Sequence, residues 1–238
     1  MSTFPMRRSR RQASVTFLLD VDNTLLDNDR IIADLRQYLN GEVGRDRAKA
    51  YWTCFEKLRT ELGYVDYLGA LQRYRVAFPR DPHLLTVSHF LIDYPFAKRV
   101  FPKALEVIRY LKRRGRVVIL SDGDVVFQPL KIERAGLTDS VDGHVLVYIH
   151  KEMEMDDVEQ RYPAEHYVMF DDKLHILAEM KKCCARVTTV FIRQGHYAHD
   201  KRILQKVPPA DVTLERIGDV LRYGIKELLT ASKSHERP

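Results

Sequence analysis

The sequence predicts an α/β protein: a doubly wound parallel sheet with an inserted α-helical domain. Three observations lead there. From residue 96 onward, short apolar and β-branched runs alternate with segments of helical spacing, as strands joined by helical crossovers do. Each of these runs ends in polar residues, not in a hairpin turn. Between the first apolar run and the second, every strong pattern across residues 29–95 is helical.

Taken in order, residues 1–14 contain Arg7, Arg8, Arg10 and Arg11 and no acid, and read as a disordered basic tail rather than a transit peptide. Val15 to Leu19 is apolar and runs into Asp20-Val21-Asp22-Asn23-Thr24, a buried strand with acids at its carboxyl end. Ile31, Leu35 and Tyr38, then Tyr51, Phe55, Leu58 and Leu62, then Tyr67, Leu71, Tyr74 and Phe78 repeat at three- and four-residue spacing. Asn40-Gly41, Gly44, Gly63 and Asp81-Pro82 break them into helices. The core therefore takes residues 15–28 and 96–238, and the helical insertion takes 29–95. Pro102 opens a helix with Ala104, Val107, Ile108 and Leu111 on one face, and Gly115 ends it. Val117 to Leu120 is a strand ending in Ser121-Asp122-Gly123-Asp124, and a helix follows to Gly136. Val145 to Ile149 is a strand reaching His150-Lys151, with an acidic helix over 152–161. Tyr167 to Phe170 is a strand ending in Asp171-Asp172, a helix runs to about Cys184, and Val187 to Ile192 is the next strand. From Val212 to about Ala231 the spacing predicts amphipathic helix.

Composition excludes several classes. There are 39 Lys and Arg against 33 Asp and Glu, a formal net charge of +6, and four of the positive charges are the arginines of the tail. The rest is nearly balanced, which argues against nucleic acid as the main partner. No apolar run approaches the roughly 18 residues of a membrane span, and none matches a secretory signal. Cys54, Cys183 and Cys184 form neither a disulfide framework nor a zinc pattern, which suits a reducing, cytoplasmic setting. Oligomeric state is left open.

In open α/β sheets ligands bind beyond the carboxyl ends of the strands. Those ends carry Asp20 and Asp22, Ser121, Lys151, and Asp171 and Asp172. Four carboxylates gathered at one edge repel, and a hard divalent cation such as Mg²⁺ relieves that by taking their oxygens. The set then suits phosphoryl transfer. Asp20 attacks phosphorus. Asp22 exchanges a proton with the leaving oxygen and with water, provided the chain leaves strand geometry at Asn23-Thr24 and neighbouring carboxylates favour its protonated form. Ser121 and Lys151 hold phosphate oxygens, and the amides around Asp122-Gly123 add donors.

Leu19-Asp20-Val21-Asp22-Asn23-Thr24-Leu25 resembles the DxDxT nucleophile motif of the haloacid dehalogenase superfamily. Leu120-Ser121-Asp122-Gly123 resembles its second motif, Lys151 stands where its third-motif lysine falls, and Asp171-Asp172 resembles its fourth. The resemblance implies a Rossmann-like core with a mobile C1-type helical cap. It also implies Mg²⁺ bound by the Asp20 carboxylate, the Asp22 main-chain carbonyl and Asp171, with Asp172 direct or through water. The haloacid dehalogenases of this superfamily lack the second aspartate. Its presence as Asp22 therefore favours a phosphatase acting on a small phosphorylated substrate over carbon–halogen cleavage.

Two departures stand out. The third motif reads His150-Lys151-Glu152 where many relatives have Gly-Lys-Pro, and Phe170 replaces a glycine before the fourth. Lys131 and Lys173 therefore remain competitors for the lysine role. Phosphonate cleavage would need a cap lysine, and neither Lys49 nor Lys57 is singled out. A catalytically idle relative that binds a phosphorylated metabolite or protein, and a nucleic-acid end phosphatase, are the remaining alternatives. His196 to His199 reads as loop rather than metal site, although Arg193 and His196 follow a strand and border the expected site. Trp52, Phe55, Tyr67, Tyr74 and Phe78 read as core. Arg45, Arg47, Arg73 and Arg75 are cations of the insertion with no orientation assigned.

Overall fold

The structure, a computed structural model, describes residues 13–230. The four tail arginines lie outside them. Its centre is a six-stranded sheet of order β3-β2-β1-β4-β5-β6, parallel throughout. The strands are β1 (Ala13–Leu19), β2 (Arg116–Asp122), β3 (Val145–Tyr148), β4 (Ala164–Asp171), β5 (Val187–Ile192) and β6 (Val212–Leu214). β1 already includes Ala13 and Ser14, which were expected in the tail.

Alternate strand residues serve two separate cores. Phe17, Leu19, Val117, Ile119, Val168 and Phe170 join one, and Leu18, Val118, Leu120, Tyr167 and Met169 the other. A sheet covered on both faces has no polar side, so its strands read as continuous apolar runs. The first core receives helices α1 (Asn28–Glu42), α2 (Arg45–Leu62), α3 (Tyr67–Ala77), α4 (Leu84–Asp93), α5 (Ala104–Lys112) and α6 (Phe127–Arg134). The short α7 (Leu137–Ser140) packs there through Leu137. The second core receives α8 (Met155–Arg161) and α9 (Leu174–Cys183).

The helical insertion is therefore α1 to α4, all between β1 and β2. Its incoming and outgoing connections run side by side. Leu26 bridges Val100, Asp27 N donates to Arg99 O at 2.8 Å, and Phe101 N donates to Leu25 O at 2.9 Å.

Three expectations change. Val212–Leu214 is strand, because the edge of β5 offers unpaired groups and pairs Val190 with Val212. Short helical turns over Ile217–Arg222 and Ile225–Thr230 follow it. The helix expected at Pro102 starts at Ala104, since Lys103 has φ 68°. The acidic segment breaks into a 3-10 turn, Lys151–Met153, and α8. Among the described residues no helix is long and apolar enough to cross a membrane.

Candidate active site

Strand register builds the site. Leu19 pairs with both Ile119 and Phe170, and the Asp20 amide donates to Phe170 O at 3.0 Å. One step further along the sheet, Asp20 and Asp171 stand side by side. Asp20, Asp171 and Asp172 each bring one carboxylate oxygen to a point where all lie within 4.8 Å of one another, and all three are buried. The 3-10 turn after β3 delivers Lys151, whose own amide donates to Asp122 Oδ1 at 2.9 Å. Its fully buried ammonium donates to Asp20 Oδ1 at 2.5 Å. It lies 2.7 Å from Asp171 Oδ2 as an ion pair without hydrogen-bond alignment.

One ammonium does not balance three buried carboxylates. Burial, opposed by Lys151 and reinforced by Asp20, pushes Asp171 up to about 6. Burial and the charges of Asp171 and Asp20 hold Asp172 well above the ordinary carboxylate range. Burial works against the Lys151 charge, but Asp171 and Asp20 outweigh it and keep its pKa well above that of a free lysine. Asp20 Oδ2 and both oxygens of Asp172 have no hydrogen-bond partner, and Asp171 Oδ2 has only the Lys151 ammonium. Unpartnered carboxylate oxygens away from water cost stability, and an oxygen-only donor set of this kind suits a hard cation. The three residues thus fit a divalent ion.

A pH signature follows. Folded-state pKa values raised for Asp171 and Asp172 mean that the folded protein holds protons the unfolded chain has released. Cation-free stability therefore falls as pH rises from the unfolded carboxylate range, near 4, through about 6. Mg²⁺ should raise the thermal unfolding midpoint more at pH 8 than at pH 5, by roughly 2–4 °C for each kcal/mol restored. Equal shifts at the two pH values would contradict this account of the cluster.

The first-motif loop leaves strand geometry as expected. Asn23 has φ 62°, and the amides of Thr24, Leu25 and Leu26 all turn back to Val21 O. The Asp22 carboxylate does not join the other three. Its oxygens accept from Lys131 Nζ at 2.6 and 2.8 Å and lie 3.4 Å from Gln128 Nε2. The carboxylate neighbours expected around Asp22 are replaced by this ammonium, which α6 carries in from one side of the sheet. Lys131 thus serves Asp22, and Lys151 takes the place between Asp20 and Asp171. Ser121 Oγ accepts from Gln128 Nε2 at 2.8 Å, and its own proton finds only Asp122 O, at 3.4 Å. Gly123 is not a free anion donor. Its amide donates to Tyr148 O at 2.9 Å, and a Cβ there would lie 2.8 Å from Gln128 Cβ. The amides of Val126 and Phe127, at the start of α6, are taken by Asp124 Oδ1.

A cavity of about 390 Å³ opens between the sheet edge and the insertion, lined by Asp22, Trp52, Phe55, Arg36, Arg59 and Lys173 among others. Sequence spacing placed Trp52 and Phe55 in the core; both border this cavity as well. The loop after β5 closes one wall. Gly195, at φ 71°, packs so closely that a Cβ would sit 2.5 Å from Asn23 Cβ. His196 meets Asp29 through its amide at 2.8 Å and Nδ1 at 2.6 Å, and the Tyr197 hydroxyl accepts from Arg59 at 3.1 Å. Arg193 instead pairs with Glu215. Arg47 and Arg73 pair with Asp81 and Glu61, and none of the four insertion arginines noted above lines the cavity. Lys49 and Lys57 are exposed and do not line it either. Arg36 and Arg59, the cations that do, sit on exposed-looking helix faces. Only the meeting of α1 with α2 gives them a role.

A doubly wound parallel sheet with a carboxylate cluster at its strand ends and a helical insertion after its central strand defines a Rossmann-like hydrolase. The chain belongs to the haloacid dehalogenase-like hydrolase family, whose model matches residues 15–185. It is 62% identical to a protein of Burkholderia xenovorans LB400 described as a haloacid dehalogenase-like hydrolase, over 89% of this chain and 99% of that one, with a TM-score of 0.85. Its fold is also similar to L-2-haloacid dehalogenase of Xanthobacter autotrophicus with chloropropionic acid covalently bound (16% identity, 87% and 96% of the chains, TM-score 0.57). The Bacillus subtilis hydrolase YfnB bound to magnesium is a further match in fold (16% identity, 90% and 98%, TM-score 0.58). No curated protein matches the chain.

Proposed function

We propose that the protein is a Mg²⁺-dependent phosphatase that hydrolyses a small phosphomonoester through a phosphorylated Asp20. The observation that carries this reading is the division of the acids. Asp20, Asp171 and Asp172 converge on one point, and Asp22 stands apart from them on the wall of the cavity. A halide leaving group needs no proton, whereas an alkoxide or phenoxide does, so a separate carboxylate facing the leaving-group side has a task only in ester hydrolysis.

The ion, when held by Asp20, Asp171 and Asp172, supplies positive charge to the phosphoryl oxygens. Lys151 fixes one oxygen of Asp20 and leaves Oδ2 free of any hydrogen bond. An Asp20 oxygen forms the bond to phosphorus as the bond from phosphorus to the ester oxygen breaks, and Asp22 relays to that oxygen a proton from the Lys131 ammonium that donates to it. Water then attacks the same phosphorus as its bond to Asp20 breaks, the water proton returns through Asp22 to Lys131, and inorganic phosphate leaves. Gln128, donating to Ser121, leaves the serine proton for a phosphate oxygen. Lys131 and Gln128 hold the Asp22 carboxylate in place. Positioning and charge supply most of the acceleration in such transfers. The insertion, lying over the strand ends, keeps water from the first step.

The test is direct. With Mg²⁺, the protein should release phosphate from p-nitrophenyl phosphate, lose that activity with chelator, and release no chloride from 2-chloropropionate. Chloride release without phosphate release would overturn the proposal.

A further inference from the structure

The charges around the cavity do not balance. Its three acids all have partners: Asp22 with Lys131, Asp29 with His196, and Glu56 with Arg59 at 3.5 Å. Two of its cations have none. Lys173 and Arg36 make no ion pair among the described residues. Each faces an aromatic ring instead, Lys173 over Tyr197 at 5.4 Å and Arg36 over Trp52 at 4.9 Å. Lys173 also lines a second, smaller cavity of about 220 Å³ that shares Asp22, Arg59 and Tyr197 with the first and reaches Asp122. It therefore stands where the reaction site opens into the larger space. The charges of Asp20, Asp122 and Asp172 favour its ammonium form. Two of these belong to the cluster that suits a metal ion.

An ammonium that lines a cavity with no carboxylate at ion-pair distance keeps its donors free for an anionic ligand. A stacked arginine beyond it presents the same sign to the same space. Resting on the phosphatase reading above, we propose that this cavity receives the leaving group of the ester and that this group carries a second anion, a carboxylate, bound by Lys173. Trp52, Phe55 and Tyr197 cover the apolar body between the two charged ends. Lys173 is thus a specificity residue: it touches the part of the substrate that is not transferred.

The test compares phenyl phosphate with 4-carboxyphenyl phosphate on the full chain. The second compound should be preferred in kcat/KM by about 10-fold, the range of one hydrogen bond to a charged group. Lys173→Gln should bring the ratio close to one, and Lys173→Arg, which keeps the charge, should retain most of it. A purely structural role for Lys173 would depress both substrates together and leave the ratio unchanged, which would overturn the inference. If neither compound is hydrolysed, the phosphatase reading fails by itself. Calorimetric binding of the same pair then decides. A preference for the carboxylated compound that Lys173→Gln removes supports the second-anion site, and equal binding rejects it.

Discussion

Asp20→Asn should reduce kcat for phosphate release from p-nitrophenyl phosphate by on the order of 10⁴-fold or more, to the level of the blank. The amide cannot form the phosphoryl ester, and no neighbour replaces it: Asp171 and Asp172 sit one strand away, and Asp22 is turned to Lys131. The same substitution removes one of three crowded carboxylates, so it eases the repulsion felt by Asp171 and Asp172. The variant should therefore unfold at a midpoint near that of the parent protein, which separates a lost nucleophile from a lost fold. Wild-type turnover in Asp20→Asn would end the assignment.

Lys151→Met should have the largest effect on stability. The methionine matches the volume but leaves buried Asp20 and Asp171 without their shared counter-ion. Breaking a buried pair from one side costs about 3–5 kcal/mol. Urea unfolding should show that loss at pH 8 in the absence of Mg²⁺. The loss should shrink at pH 5, where Asp171 and Asp172 take up protons, and shrink again with Mg²⁺, which substitutes charge for charge. Lys131→Met makes the contrast. Its partner Asp22 is 28% exposed, so water takes over part of the solvation and the cost is smaller. An equal loss in both variants would show that burial of the Asp20 cluster does not govern the energetics.

The alternating core and the order of its site residues were legible because a sheet buried on both faces leaves an unbroken apolar signature and stops abruptly at its polar ends. Val187–Ile192 is the clearest case, its bounds plain in sequence and unchanged in the structure. β6 was not legible. Three alternating residues are too short a run to outweigh the helical spacing of Ile217, Val220 and Leu221 that follows, and only the unpaired edge of β5 decides. At the site, Asp20, Lys151, Asp171 and Asp172 converge as topology implies. The partner of Asp22 lies 109 residues away on a helix face, and no local pattern announces that Lys131 rather than another carboxylate meets it. Arg36 and Arg59 escape for a related reason. Charged side chains on amphipathic helices look solvated until a second element arrives opposite them.

The strand order has a consequence for how the chain matures. β1 lies between β2 and β4, so the first acid to be synthesised acquires its neighbours only when residues 116–122 and then 164–171 have been made. Translation at about 5–20 residues per second therefore leaves Asp20 waiting for Asp171 for roughly 8–30 seconds while the four insertion helices are already free to condense. A divalent ion that fits this cluster would find no assembled site on the nascent chain, and its binding would belong to the last stage of assembly.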